Sequence, residues 1–164
     1  MINDYAMLSG NGEIVVRLGV AFVIGSALGL NRDLHGKPAG VRTHALVSLG
    51  AAVAAIVSLG LPGESKSMDP NAISRVLQGI LTGIGFLGAG VILRARGGHV
   101  TGLTTAATIW LCAVLGVTCG LGYWSVLAIA FGLTLILLVL GGPIDYLAER
   151  LFKPKRSNSA DPEV

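Results

Sequence analysis

Charge is scarce in this 164-residue chain, at 13% Asp, Glu, Lys and Arg, and it is missing where a carrier needs it. No Asp, Glu or His falls near the middle of any long apolar run. Proton-coupled carriers and cation pumps typically hold a titratable or coordinating group at that depth, so the usual carrier site is lacking. Backbone carbonyls of a broken, glycine-rich helix can also bind an ion, which keeps ion transport as the alternative reading. Cysteine is almost absent as well, at Cys112 and Cys119. Seven residues of helix separate the two by about 10 Å at about 1.5 Å per residue, beyond the roughly 7 Å reach of a disulfide. No Cys-x-x-Cys accompanies them, so the sequence assigns no metal and no cofactor. No basic stretch precedes the first apolar run, only Asp4 and Glu13. That argues against a cleaved signal peptide and leads us to expect a mature chain beginning near Met1.

What is present is apolar and small: 52% hydrophobic residues and 24 glycines. About 20 apolar residues cover the hydrocarbon core of a bilayer, and five runs approach that length, at 14–30, 43–61, 73–93, 103–121 and 123–141. The expected fold is all-α, a polytopic membrane protein whose membrane domain covers 1–142. Five spans leave no room for a soluble catalytic domain, so no catalytic residue is assigned and the chain is not expected to be an enzyme. After Pro143, Ile144, Leu147 and Leu151 share one helical stripe, which predicts a short interfacial helix. Residues Ser157 to Val164 read as a disordered tail.

Basic residues stay on the cytoplasmic side of short loops. Arg32, Lys37, Arg42, Arg94, Arg96, Arg150, Lys153, Lys155 and Arg156 fall on one side, nine of the twelve Lys and Arg. The N-terminus is therefore expected outside and the C-terminus in the cytoplasm. Tyr123 and Trp124 then mark the outer boundary, and Tyr146 and Phe152 the inner one. Nucleic-acid binding needs a basic face with stacking aromatics, and these arginines are better explained as anchors beside anionic lipid.

The third run, ISRVLQGILTGIGFLGAGVIL, carries Gly79, Gly83, Gly85, Gly88 and Gly90. Gly83-Ile84-Gly85-Phe86-Leu87-Gly88 satisfies G-x-G-x-x-G, but a dinucleotide site needs a strand before it, a soluble helix after it and an acid about 20 residues on. Here the surroundings are uniformly apolar. The same glycines form a small-residue ridge by which membrane helices approach closely, and they predict tight helix packing and a homo-oligomer. Trp110, well inside the fourth run, is read with them as an interhelical packing residue.

Polar residues cluster in the two loops assigned to the cytoplasm. A shift of 62 residues aligns Arg32 with Arg94, Gly40 with Gly102 and Thr43 with Thr105, so each loop sets an arginine eleven residues before a threonine that opens a helix. Such a threonine can cap free N–H groups, and with arginine those amides can hold an anion. Ordinary caps and topogenic charge account for the same residues. The candidate functional polar set is Arg32, Asp33, Arg42, Thr43, Asp69, Arg75, Thr104 and Thr105. Arg17 and Arg75 sit near the outer span ends, where a long side chain reaches the interface, with Glu13 four residues before Arg17.

Three strings, Gly36-Lys37-Pro38-Ala39-Gly40-Val41-Arg42-Thr43-His44-Ala45-Leu46-Val47, Gly83 to Ile92, and Gly102-Leu103-Thr104-Thr105-Ala106-Ala107-Thr108-Ile109-Trp110, resemble the MgtC/SapB family of bacterial inner-membrane proteins. The resemblance covers about Gly25 to Gly122. It implies an inner-membrane location and a role in magnesium homeostasis or stress adaptation. It further implies action by protein contact, since the family's namesake is understood to restrain the proton-translocating ATP synthase. The family commonly has Glu-Arg-Glu where this chain has Asn31-Arg32-Asp33. Asp69-Pro70 and Arg75 match its Asp-Pro and Arg with extra residues between. Virulence-type members carry a soluble C-terminal domain, and the form here resembles the shorter SapB-like branch.

Overall fold

The computed structural model describes residues 2–59, 70–92 and 100–152. Asp69, Arg94, Arg96 and the tail from 153 lie outside them. The described chain is helical throughout: α1 Ile2–Leu34, α2 Val41–Leu59, α3 Pro70–Ile92, α4 Leu103–Leu121 and α5 Trp124–Phe152. Each contains a segment long and apolar enough to cross a bilayer. This is a multi-pass membrane protein.

Both ends of α1 and the end of α5 lie beyond the sequence reading, with α1 beginning at Ile2. α1 continues through Asn31-Arg32-Asp33-Leu34, because a helix end that leaves the hydrocarbon can carry polar side chains without losing its backbone bonds. α5 runs without interruption through Pro143 to Phe152, where a separate interfacial helix was expected. Pro143 still forfeits one backbone bond and crowds the carbonyl four residues back, but its clash with the Cβ of the preceding residue is removed by Gly142.

The chain divides into two compact units, 1–131 and 132–164. In the first, α1, α2 and α4 form the inner layer, and α3 lies against α4 and α2. The contacts are backbone to backbone. A Cβ on Gly25 would stand 2.6 Å from the His44 carbonyl oxygen, and one on Gly29 2.5 Å from Val41 Cα. A Cβ on Gly116 would overlap the Ser48 carbonyl, and one on Gly120 would lie 2.5 Å from the Ala52 carbonyl oxygen. Two Gly-x-x-x-Gly pairs, 25/29 on α1 and 116/120 on α4, therefore clasp α2 from two sides. Ala51 and Ala55 of α2 meet Ala113 and Val117 of α4, and Leu77, Ile80 and Ile84 of α3 pack over them. Large side chains such as Phe22, Leu46, Phe86 and Ile129 point outward, where a bilayer presents acyl chains.

The ends of the inner helices are closed by chemistry. α4 ends in a Schellman turn: Gly122 at φ 76° donates to the Cys119 carbonyl at 3.0 Å, and Tyr123 to Thr118 at 3.1 Å. Arg17 adds a guanidinium there, donating from Nη1 to the Gly120 carbonyl and from Nη2 to Glu13. A cation at a helix C-terminus complements its dipole. The anchoring pair read from the sequence thus also caps a neighbouring helix.

Candidate functional site

At the opposite end of the same three helices lies a cluster of buried polar side chains. Arg32 of α1 is 4% exposed, His44 and Ser48 of α2 are fully buried, and Thr105 and Thr108 of α4 are 2% and 6% exposed. Arg32 is fixed first by its own backbone. α1 ends in a second Schellman turn, in which Gly36 at φ 60° donates to Asp33 and Lys37 donates to the Arg32 carbonyl at 3.0 Å. This turn starts the chain back toward α2 and holds the Arg32 side chain against α4. There Nη2 donates to Thr105 Oγ1. Its Nε is buried without a partner, and among the described residues no carboxylate pairs with the guanidinium.

Asp33, the next residue, faces the other way. Its Oδ2 accepts the Val41 N–H at 3.0 Å, so the carboxylate of α1 caps α2 from eight residues upstream. Gly40 permits this, because a Cβ there would sit on the carboxylate. Asp33→Ala is expected to lower the stability of the detergent-solubilised chain by about 1 kcal/mol, the usual worth of an N-cap, with Asp33→Asn retaining most of it. Equilibrium unfolding in micelles followed by circular dichroism checks both.

His44 occupies the next layer inward. Its Nδ1 lies 3.2 Å from the Gly40 carbonyl oxygen, which can only accept, so Nδ1 carries the hydrogen and Nε2 is left as the acceptor of the neutral ring. That Nε2 is buried with no partner among the described residues, and the Ser48 hydroxyl, one turn along α2, lies beside the Cys112 thiol. Ser26 Oγ on α1 is a further buried orphan. The His44 carbonyl accepts the Cys112 thiol at 3.2 Å, and Thr108 returns its hydroxyl to the carbonyls of Thr104 and Thr105. Both cysteines are buried and unbridged, as their spacing requires.

The structure therefore joins two of the sequence-selected residues, Arg32 and Thr105, and does so across the two loops. Asp33 lies beside them as a cap. Arg42, Thr43, Thr104 and Arg75 are exposed, apart from the buried cluster. His44, Ser48 and Thr108 were missed. Their signal was the spacing of polar residues four apart along α2 facing a polar position of α4.

The glycines of α3 are placed differently from expectation. Among the described residues nothing lies within 4 Å of a Cβ built on Gly79, Gly83, Gly85 or Gly90, and Gly88 meets the Ala106 Cβ at 3.5 Å. The tight packing within the chain belongs to Gly25, Gly29, Gly116 and Gly120 instead. Trp110 is 44% exposed, with much of its ring outside the packed core. Among the described residues no group of three or more His, Cys, Asp or Glu comes together.

The MgtC family model matches residues 18–147, which includes the whole cluster. The chain is 45% identical over 129 residues to SrpB of Synechococcus elongatus, covering 74% of this chain and 71% of SrpB. It is 41% identical over 130 residues to YhiD of Escherichia coli K12, provisionally named a magnesium transporter, covering 78% of this chain and 59% of YhiD. It is 42% identical over 111 residues to MgtC of Salmonella typhimurium LT2, covering 68% of this chain and 45% of MgtC. The match thus spans about half the length of the last two relatives. No solved structure matches.

Proposed function

Because this chain belongs to the MgtC family, we propose that it is a bacterial inner-membrane protein of magnesium homeostasis or stress adaptation that acts by protein contact within the bilayer. The ATP synthase is the candidate partner. The supporting observation is the contrast between inner and outer helices. Of the hydrophobic window of α4, 61% is buried within the chain, against 6% for α3. The inner helices are locked backbone to backbone, and the polar cluster is stopped from running through the bundle by the alanines of α2 and α4. α3 meanwhile carries an outward face of bare backbone at Gly79, Gly83 and Gly90, a surface on which a helix of another copy or another protein can sit closely. In this reading the N-terminus is outside, the C-terminus is cytoplasmic, the chain self-associates, and it performs no catalysis.

The provisional name of YhiD favours a second reading, magnesium transport. The two separate cleanly. Magnesium flux into proteoliposomes containing only the purified chain is expected to match empty liposomes, and ATP-driven proton pumping in inverted membrane vesicles is expected to fall when the chain is present. Saturable flux that disappears in Arg75→Ala or Thr105→Val makes the protein a transporter. Unchanged pumping removes the synthase as partner.

A further inference from the structure

We infer that the buried cluster at the junction of α1, α2 and α4 is a binding site for a tetrahedral oxyanion, a hydrogen phosphate or a phosphate monoester, anchored by Arg32 and the first turn of α4.

Three independent features converge. Arg32 is a guanidinium with 4% exposure near the end of a membrane-spanning helix. Taking a cation out of water is costly unless it is paired and hydrogen-bonded. Among the described residues its single side-chain bond is to the neutral Thr105 hydroxyl, and its Nε has none. The fork of a guanidinium fits the oxygens of a phosphate two at a time.

α4 supplies the second feature. Its N-cap is Gly102, at φ 87°, which provides no side-chain cap. The first intrahelical bond runs from Ala106 N–H to the Gly102 carbonyl at 2.9 Å. The amides of Leu103, Thr104 and Thr105 precede that bond and have no acceptor inside the helix. α2, by contrast, is capped by Asp33. Arg32 is held by its Thr105 bond against the uncapped terminus, where the helix dipole favours negative charge.

The third feature is His44 on α2. Its Nε2 is buried with no partner among the described residues, and buried polar groups are matched in nearly all native structures. Arg32 and Asp33 both lie within electrostatic reach of the His44 ring, with the Asp33 carboxylate turned to the Val41 N–H. A hydrogen phosphate suits this mixture: its charged oxygens accept from the guanidinium and the amides, while its P–OH donates to a neutral imidazole. Sulfate carries the same charge and shape without that proton. The phosphate can be free in solution or be the monoester headgroup of phosphatidic acid, since both keep the P–OH that a phosphodiester lipid lacks.

The test uses the full chain purified in phosphate-free buffer and reconstituted in nanodiscs. Inorganic phosphate, titrated against chloride at matched ionic strength, is expected to bind saturably and raise the unfolding temperature, with sulfate binding more weakly. Arg32→Gln is expected to weaken phosphate binding at least about tenfold, the worth of one charged hydrogen bond, with Arg32→Lys intermediate and Lys37→Gln unchanged. Phosphate that fails to bind while phosphorus NMR finds phosphatidic acid retained by the native chain and lost from Arg32→Gln assigns the site to a headgroup; retention of a phosphodiester lipid instead overturns the His44 contact. Sulfate binding equal to phosphate overturns the His44 contact. If Arg32→Gln does not fold, Arg32→Lys and the wild-type titration still decide. No saturable phosphate and no retained phospholipid overturns the inference and leaves the orphans to water.

Discussion

Gly116→Leu is expected to abolish the folded chain. Gly116 meets the backbone of Ser48, whose carbonyl and Cα occupy the place of any Cβ. Neither α2 nor α4 can yield locally, because Gly120 repeats the contact one turn on against Ala52 and Cys112 ties α4 to the His44 carbonyl one turn back. Overpacking a core commonly costs about 1–3 kcal/mol even when side chains can adjust, and here the obstacle is backbone. The expected result is loss of the monodisperse peak in size-exclusion chromatography and of the cooperative unfolding transition. Gly83→Leu is the informative companion. With nothing among the described residues within 4 Å, its fold is expected to survive, so any change in its detergent-solubilised size reports on assembly alone. Equal damage from both substitutions contradicts the assignment of the tight interface to α4.

Gly29→Val is expected to have the second largest effect and to reach further. A Cβ at Gly29 meets Val41 Cα at 2.5 Å and the Gly40 carbonyl oxygen at 2.7 Å, so α1 must move away from the start of α2. Arg32 and Asp33 lie within the next turn. Their displacement strips the cap from Val41 and pulls the guanidinium from Thr105. A loss of about 1–3 kcal/mol from crowding is expected together with loss of the phosphate-dependent rise in unfolding temperature. Gly19→Val is the control on the same helix, since Gly19 has open space around it. Unfolding curves recorded with and without phosphate check both effects. A Gly29→Val chain with native stability removes the α1/α2 contact from the account.

Span existence was legible because a bilayer imposes a length on apolar runs, and the fourth span, 103–121, coincides with α4. Spans one and five were read short for one shared reason: polarity was taken as the end of helix, as at Asn31 to Leu34, and proline as a break, as at Pro143. The number of glycines in α3 drew attention away from the helices that pack tightly within the chain. Composition says that a surface is bare, but only the partner decides whether the bareness is used, and within this chain α2 uses Gly25, Gly29, Gly116 and Gly120. Arg32 and Thr105 could be selected separately as polar residues at loop edges. That they meet depends on α1 ending where α4 begins, a relation of the folded helices that no spacing along the chain encodes. His44 was concealed inside a motif, its burial set by the packing of α2 against two neighbours.

The clasp of α2 by paired glycines has a thermal consequence. In a water-soluble domain, unfolding exposes apolar surface to water, and the resulting heat-capacity rise bends stability into a dome that falls away on cooling. Here the surfaces that part when α2 leaves α1 and α4 are glycine and alanine contacts together with aliphatic side chains such as Leu28 and Ile56, and acyl chains rather than water replace them. With so little hydration change, the stability curve of this bundle in its bilayer is nearly straight, and chilling does not loosen it.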